Sequence, residues 1–416
     1  MSFHTLLPRA VAVRDTKKLE DYYEGKAQLD TLGLALPPEV RLLERTAQFP
    51  RLAVDSLSEV LVPEGYILGD DTKTPEALSK VWQANDMDSA SHLAINEALV
   101  QGDAYWIIGR RPNGKPRITA HPSRGAAVSL DPYGGVAEGL VVWSRGGVRQ
   151  ASHYLPGVTV PYTYDTRVGD WVKGEEIPTG LSEPAIVQMA NRERLGDARG
   201  RSEILRVLNA TKAAGRTLTA MQLAQELLAL PQRYLFADGL DAAKLGKSPF
   251  EAYINSFITG PAESKIGQLA GADLTSFHNT YKLYAGEIAG ATGIPLSMLG
   301  ISTDNPTSAE AMRVSHNRLF TRAEVRQRHF GDAFETVGRL VLEMLGETPD
   351  NAEELEMRWR DPASVSEDAH RAIILQAHAQ GVISAETARE TLRLTPQQLA
   401  RERERDSLAS PSIYGA

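Results

Sequence analysis

The spacing of apolar residues changes several times along this chain, and each change predicts a change of structure. From Asp15 to Gln101 the spacing is helical. Asp15–Tyr23 is an amphipathic stretch stopped by Gly25, a second runs from Pro38 to about Ala47, and a third holds Leu52, Val54, Leu57, Val60 and Leu61. Gly65–Leu68 reads as a strand, and Thr74–Asp86 (with Trp82) and Asp88–Gln101 as two more helices. At Gly102 the period drops to two. Ala104–Gly109, a turn at Pro112-Asn113-Gly114-Lys115 and Arg117–Ala120 predict a β-hairpin, because Asn-Gly accepts the positive φ of a tight reversal. Ala127–Leu130, Gly139–Trp143, Val148–Tyr154 and Val158–Tyr164 continue the alternation, so one small antiparallel sheet module is expected up to about Met189.

Helical spacing returns after Gly200. From Arg201 a helix of roughly 28 residues runs through Ile204, Leu208, Leu218 and Leu228 and stops before Pro231. Arg233–Ala237 is a strand opening an insert rich in Gly, Ala, Ser and Pro, and Ser276–Gly290 is helical again. The longest element follows a break at Gly300–Pro306. Thr307-Ser308-Ala309-Glu310 is a capping box, and no proline interrupts the pattern until Pro349. Met312, Leu319, Ala323, Phe330, Phe334, Val337, Val341 and Met344 keep one face apolar over about 38 residues, a rod of about 57 Å. A rod of that length is expected to leave its stripe for neighbouring copies. On this reading Leu319, Phe330, Phe334 and Val337 form a subunit interface, and Arg318, Arg322 and Arg326, four apart on one face, make ion pairs across it; a nucleic-acid contact is the alternative, disfavoured by the interleaved Glu310, Glu324 and Glu335. Beyond Pro349 come a strand at Leu355–Trp359, a turn at Asp361-Pro362, a helix opened by Ser366 and closed by Gly381, one opened by Ser384, and a charged one from Pro396. The tail past Leu408 is expected to be disordered.

Composition narrows the function classes. A chain of 416 residues exceeds one simple core, so two to four domains are expected. A net charge of -8 argues against a broad basic clamp on nucleic acid, though not against DNA that passes without being gripped. The absence of cysteine excludes disulfides and thiolate chemistry. Met1–Val13 has no continuous apolar run of the signal-peptide kind, and no stretch is apolar enough for a membrane span, so a protein made inside a cell is expected.

Candidate chemistry is sparse. Asp241-Ala242-Ala243-Lys244-Leu245-Gly246-Lys247-Ser248 ends like a phosphate-binding loop, but Asp241 stands where glycine is required and would repel a phosphate. Pro249 also follows at once and hinders the helix that should point amides at the ligand. The nine histidines lack metal spacing, Asp86 and Asp88 read as helix-capping residues, and the tryptophans fall in core or sheet positions, not on a base-stacking platform. No cofactor is expected.

Several short motifs occur together in one order. They are Gln83–Asp88, Glu97-Ala98-Leu99-Val100-Gln101-Gly102-Asp103-Ala104-Tyr105, Asn191-Arg192, Gly200-Arg201-Ser202-Glu203-Ile204, Leu230–Tyr234, Pro306–Ala311 and Gln380–Thr387. The set resembles the portal proteins of tailed double-stranded DNA phages, especially actinobacterial siphophages. The resemblance implies a predominantly helical α+β subunit of a ring of about twelve copies at one capsid vertex. It implies a wing over residues 1–200, stem helices over 201–230 and 274–300 with a clip between them at 231–273, and a tunnel loop at 301–307. The long wing helix and its closing strand would occupy 308–363, a short crown 364–408, and a tail 409–416. By the same resemblance Thr303, Asp304, Asn305, Pro306 and Thr307 would face the DNA channel, and Arg233, Lys244, Lys247 and Lys265 would lie where the packaging motor and tail adaptor dock. The implied partners are double-stranded DNA, the terminase large subunit, a head–tail adaptor, and major capsid and scaffolding proteins, in a virion built in the bacterial cytoplasm. Two other readings stay open: a nucleotide hydrolase using Gly246-Lys247-Ser248, and a ring-forming protein with no DNA passage.

Overall fold

The computed structural model describes residues 3–11, 16–28, 45–69, 75–228, 233–236, 265–268, 274–301, 309–363, 367–392, 401, 402 and 405. In chain order, α1 (Phe3–Val11), α2 (Thr16–Tyr23) and α3 (Phe49–Ser58) precede β1 (Pro63–Leu68), α4 (Glu76–Ala84) and α5 (Met87–Gln101). Nine strands follow: β2 (Asp103–Arg110), β3 (Pro116–Pro122), β4 (Ala126–Leu130), β5 (Val136–Arg145), β6 (Val148–Leu155), β7 (Val158–Asp165), β8 (Asp170–Lys173), β9 (Ile177–Pro178) and β10 (Ile186–Ala190). Then come α6 (Ile204–Leu228), β11 (Arg233–Phe236), β12 (Lys265–Gln268), α7 (Leu274–Thr292), α8 (Ala309–Leu345) and β13 (Leu355–Trp359). A separate unit, Arg360–Ala416, holds α9 (Glu367–Ala379) and α10 (Ala385–Thr391).

The β region is two sheets, not one module. β10-β2-β3 is antiparallel, and β4 to β8 form a second antiparallel sheet in chain order with β9 on β7. Local hairpin signals could not distinguish these, because β10 reaches β2 over more than seventy residues to complete the first sheet. The second sheet carries α1, whose Phe3, Leu6 and Ala10 pack on Ala127, Leu140 and Ala151, with Phe3 stacked on Tyr162 at 3.9 Å. The sequence predicts no helix before Asp15, yet α1 forms with Pro8 inside it, because the sheet covers its apolar face. The expected helix from Pro38 falls largely outside the described residues, as do the capping box at Thr307 and Ser308, the charged segment from Pro396 and the tail.

The long helix α8 covers 37 residues, about 55 Å. Its apolar stripe is not left over for a neighbour. Leu319, Phe330, Phe334 and Val337 are all 1% exposed or less within this single chain. Phe334 lies 5.4 Å from the Trp106 ring, 5.8 Å from Trp359 and 6.2 Å from Trp82. The expected subunit interface at these four residues is therefore corrected: they are the spine of the chain's own core. β1 and β13, which the sequence separates by almost 300 residues, pair into a ribbon that covers the helix at Gly338, where an added Cβ would meet Leu355 at 2.6 Å. The Tyr66 hydroxyl on that ribbon donates to the Phe334 carbonyl at 3.0 Å. Trp143 was expected in a core or sheet position; it stands in β5 but is more than a third exposed.

In the C-terminal unit, α9 ends at Gly381, whose φ of +73° admits the left-handed turn there, with the Gly381 N–H on the His378 carbonyl and the Val382 N–H on that of Ala377. Ser384 Oγ accepts the Thr387 N–H at 3.1 Å and caps α10, as its sequence predicts.

Candidate functional site: a buried polar junction

Helices α6 and α7 pack against each other along their length, with the insert between them in sequence. The N-terminus of α6 and the C-terminus of α7 meet where α8 passes, and the junction there is polar and buried.

Backbone closeness comes first. α5 ends at Gly102, φ +96°, whose N–H returns to the Ala98 carbonyl at 2.8 Å. That turn brings the chain against Gly200: a Cβ on Gly200 would sit 1.8 Å from the Gly102 carbonyl oxygen and 2.5 Å from the Asn191 nitrogen. No side chain fits at Gly200. The buried Asp103 carboxylate accepts from the Gly200 N–H at 2.8 Å and from Gln188 Nε2 at 3.0 Å. Asn191 is completely buried; its N–H donates to the Gly102 carbonyl, and its Nδ2 to the Arg201 carbonyl at 2.7 Å and to Glu203 Oε1 at 3.1 Å.

Glu203 is the centre. Only 1% exposed, it stands at the entrance to α6, where the helix dipole favours an anion, and its own N–H donates to the Leu99 carbonyl at 2.9 Å. Arg326 reaches Glu203 Oε1 at 2.7 Å, Arg206 reaches Oε2 at 3.0 Å, and Arg322 binds Oε2 with one guanidinium nitrogen. Arg322 gives another nitrogen to the Thr292 carbonyl, the last residue of α7, so one side chain of α8 holds the start of one helix and the end of the other. Glu193 completes the set, pairing with Arg206 and lying 3.5 Å from Arg326. Burial pushes the Glu203 carboxyl up, but Arg322, Arg326, Arg206 and the Asn191 amide outweigh it and hold it below the ordinary range. Burial likewise draws Arg322 down from its usual value, with Glu203 opposing.

The expected ion pairs of Arg322 and Arg326 across subunits are thus corrected: both are engaged inside the chain, because α8 faces α6 there. Arg318 is the exposed member, its stem packed under Gly293 at the end of α7. Arg233 and Lys265 lie on one two-stranded ribbon of β11 and β12 but at its opposite ends, where Arg233 pairs with Gln268 and Phe236 with Lys265. Lys244, Lys247, the loop Thr303–Thr307 and the Gly246-Lys247-Ser248 segment lie outside the described residues. Sequence reading missed the role of Glu203, Asn191, Asp103 and Gly200. The available signal was that Gln101-Gly102-Asp103, Asn191-Arg192 and Gly200–Ile204 are separate motifs of one set, and the fold brings all three to one point. Among the described residues no three His, Asp or Glu side chains gather as a metal site, and no helix is long and apolar enough to cross a membrane.

This α+β body, with its long spine helix and a helix pair clamped at its root, shares its fold with chains of solved structures. A chain in the virion of the native gene transfer agent particle matches it with a TM-score of 0.53 at 16% identity, covering 93% of this chain and 95% of that one. A chain from the neck of the native particle, computed with C12 symmetry, matches at 0.50 and 15%, covering 94% and 99%. The family described as phage portal protein, SPP1 Gp6-like, matches residues 11–407, and the chain belongs to that family. It is 33% identical over 396 residues to the portal protein of Mycobacterium phage D29, covering 89% of this chain and 81% of that one. To the portal protein of Mycobacterium phage L5 it is 32% identical over 401 residues, covering 91% and 82%. Its function is that of a phage portal protein, a structural component of the head–tail connector at the portal vertex of the virion.

Proposed function

We propose that this chain is one stave of a closed ring of about twelve copies, through which double-stranded DNA enters the capsid during packaging and leaves during ejection. The observation that carries the reading is the junction at Glu203: a helix pair locked at its root to a rigid body can project an insert as a fixed lever. In this assignment residues 1–200 and 308–363 are the wing, α6 and α7 the stem, 231–273 the clip and 301–307 the tunnel loop. Residues 364–408 are the crown inside the capsid, followed by the tail 409–416. Arg233, Lys244, Lys247 and Lys265 lie in the clip, which meets the terminase large subunit and later the head–tail adaptor, while capsid and scaffolding proteins contact the wing. Thr303, Asp304, Asn305, Pro306 and Thr307 touch the DNA in passing. A net charge of -8 supports this, since each phosphate contact adds affinity and so resists sliding. The chain is made in the bacterial cytoplasm and performs no bond-making of its own.

Imaging of the purified protein along its particle axis tests the proposal. Rings with an open centre are expected, with no ATP hydrolysis. Monomers at every concentration, or ATP turnover abolished by Lys247→Ala, would overturn it.

A further inference from the structure

The second sheet runs on past the core that backs it. Across its strands Val141 stands opposite Ser152, and Ser152 opposite Pro161; Val141 and Ser152 are buried. Two residues further along the same face, Trp143 stands opposite Gln150, Gln150 opposite Thr163, and Thr163 opposite Val172. This row emerges into solvent: Trp143 is 38% and Val172 49% exposed, with Trp143 Nε1–H donating to Gln150 Oε1 at 3.1 Å. The β5–β6 and β7–β8 turns close the sheet at this end, and beside them Val148 and Val168 are 44% and 70% exposed. Gly146 and Gly147 form the first of these turns and put no side chain over the row. Single exposed apolar side chains are ordinary, whereas four gathered at one end of one sheet mark a place of contact.

The charges at this end do not balance. Arg145, Arg149 and Arg167 are exposed, and their guanidinium groups meet no carboxylate among the described residues. Arg149 lies over two rings, its guanidinium carbon 5.2 Å from the centre of Tyr164 and 5.4 Å from that of Trp171, which positions the cation without neutralising it. The two aspartates of the β7–β8 turn are occupied by main chain: Asp165 Oδ1 accepts the Arg167 N–H at 2.8 Å, and Asp170 Oδ1 the Trp171 N–H at 2.7 Å. Glu175 and Glu176 stand past the far end of β8, where Glu176 pairs with Lys173. Helix α1, packed on the same sheet, contains no Asp or Glu. In a chain of net charge -8, this end of the sheet is positive.

We infer that this end of the second sheet is a docking surface for an acidic protein segment with apolar side chains, seated on the row from Trp143 to Val172 with its carboxylates on Arg145, Arg149 and Arg167. The inference rests on the reading of residues 1–200 as a wing in contact with capsid and scaffolding proteins, and supplies the chemistry by which such a protein is held. Charge complementarity sets the sign of the partner. The valines set its class, since the phosphates of a nucleic acid would meet the arginines but leave Val148, Val168 and Val172 in water. Tryptophan and arginine together are also the residues on which the affinity of protein interfaces concentrates.

A fluorescein-labelled peptide of glutamate, leucine and phenylalanine is titrated into the full-length protein and followed by fluorescence anisotropy. Saturable binding that weakens as salt rises is expected, with a loss of about tenfold in Trp143→Ser and in the double variant Arg145→Glu, Arg167→Glu. No binding, equal binding by parent and variants, or equally tight binding of polyglutamate or of a DNA duplex overturns the proposal. In cells producing particles, p-benzoylphenylalanine replaces Val172 or, as a second site on the wing, the exposed Leu93, and adducts are mapped by mass spectrometry. From position 172 an adduct on an acidic segment of a capsid or scaffolding protein is expected; a second copy of this chain, DNA or nothing in its place overturns the docking surface. Shell-protein adducts from position 93 alone leave the wing reading standing, and shell-protein adducts from neither position overturn both. The cross-link decides alone if the double variant does not fold.

Discussion

Glu203→Gln tests the junction with a nearly isosteric change. The amide oxygen can still accept from Asn191, but three guanidinium groups lose their shared counter-charge. Breaking a buried ion pair by removing one partner costs about 3–5 kcal/mol. Here the lower end applies, about 3 kcal/mol, because Arg322 keeps the Thr292 carbonyl and Arg326 keeps Glu193 at 3.5 Å. For a unit of the size of Met1–Trp359 melting together, about 2.1 cal/mol/K per residue gives an entropy of about 0.75 kcal/mol/K, so the melting temperature should fall by about 4 °C. The pH dependence identifies the cause. The folded carboxyl lies below its ordinary value, so the stability it gives is present above the unfolded pKa, about 4.3, and is lost as pH falls through the folded value. The gap between the parent and the Glu203→Gln variant should therefore be widest at neutral pH and narrow in acid. Differential scanning calorimetry at pH 7 and pH 4 reads both. A variant that melts within half a degree of the parent at pH 7 would show that the network does not hold the helix roots, and the lever argument would go with it.

Three other outcomes follow from the same geometry. Phe334→Asp should yield chain that loses helical circular dichroism and aggregates, because the residue is fully buried among three tryptophans; a folded, soluble monomer unable to assemble would restore the interface reading. Gly200→Ala should lower stability by more than about 2 kcal/mol in chemical denaturation, since its Cβ would strike the Gly102 carbonyl, and an unchanged midpoint would mean that the two backbones part easily. Burial, with Glu20 adding to it, lifts the Glu97 carboxyl to about 6 against the Ser123 N–H, so the folded state holds its proton where the unfolded chain has released it. Stability should fall as pH rises from 4.5 to 6, and Glu97→Gln should stabilise the protein at pH 8 but not at pH 4; equal effects at both would refute the assignment.

Local periodicity determined much of this protein. The spans of α6, α7 and α8, the Asn-Gly hairpin, the Gly381 stop and the Ser384 cap are all legible in the chain, because each depends on residues within a few turns of one another. The ordered motif set was enough to indicate the family. Which partner each apolar or charged face meets was not legible. The stripe Leu319–Val337 is as apolar inside one subunit as between two, and only the pairing of β1 with β13 and the return of β10 to β2 show that the chain covers the stripe itself. For the same reason Arg322 and Arg326 looked like surface charges. Their partner Glu203 lies more than a hundred residues away, and nothing in helical spacing measures that distance. Short-range physics wrote the elements into the sequence, whereas long-range chain closure, which no local window contains, decided what those elements touch.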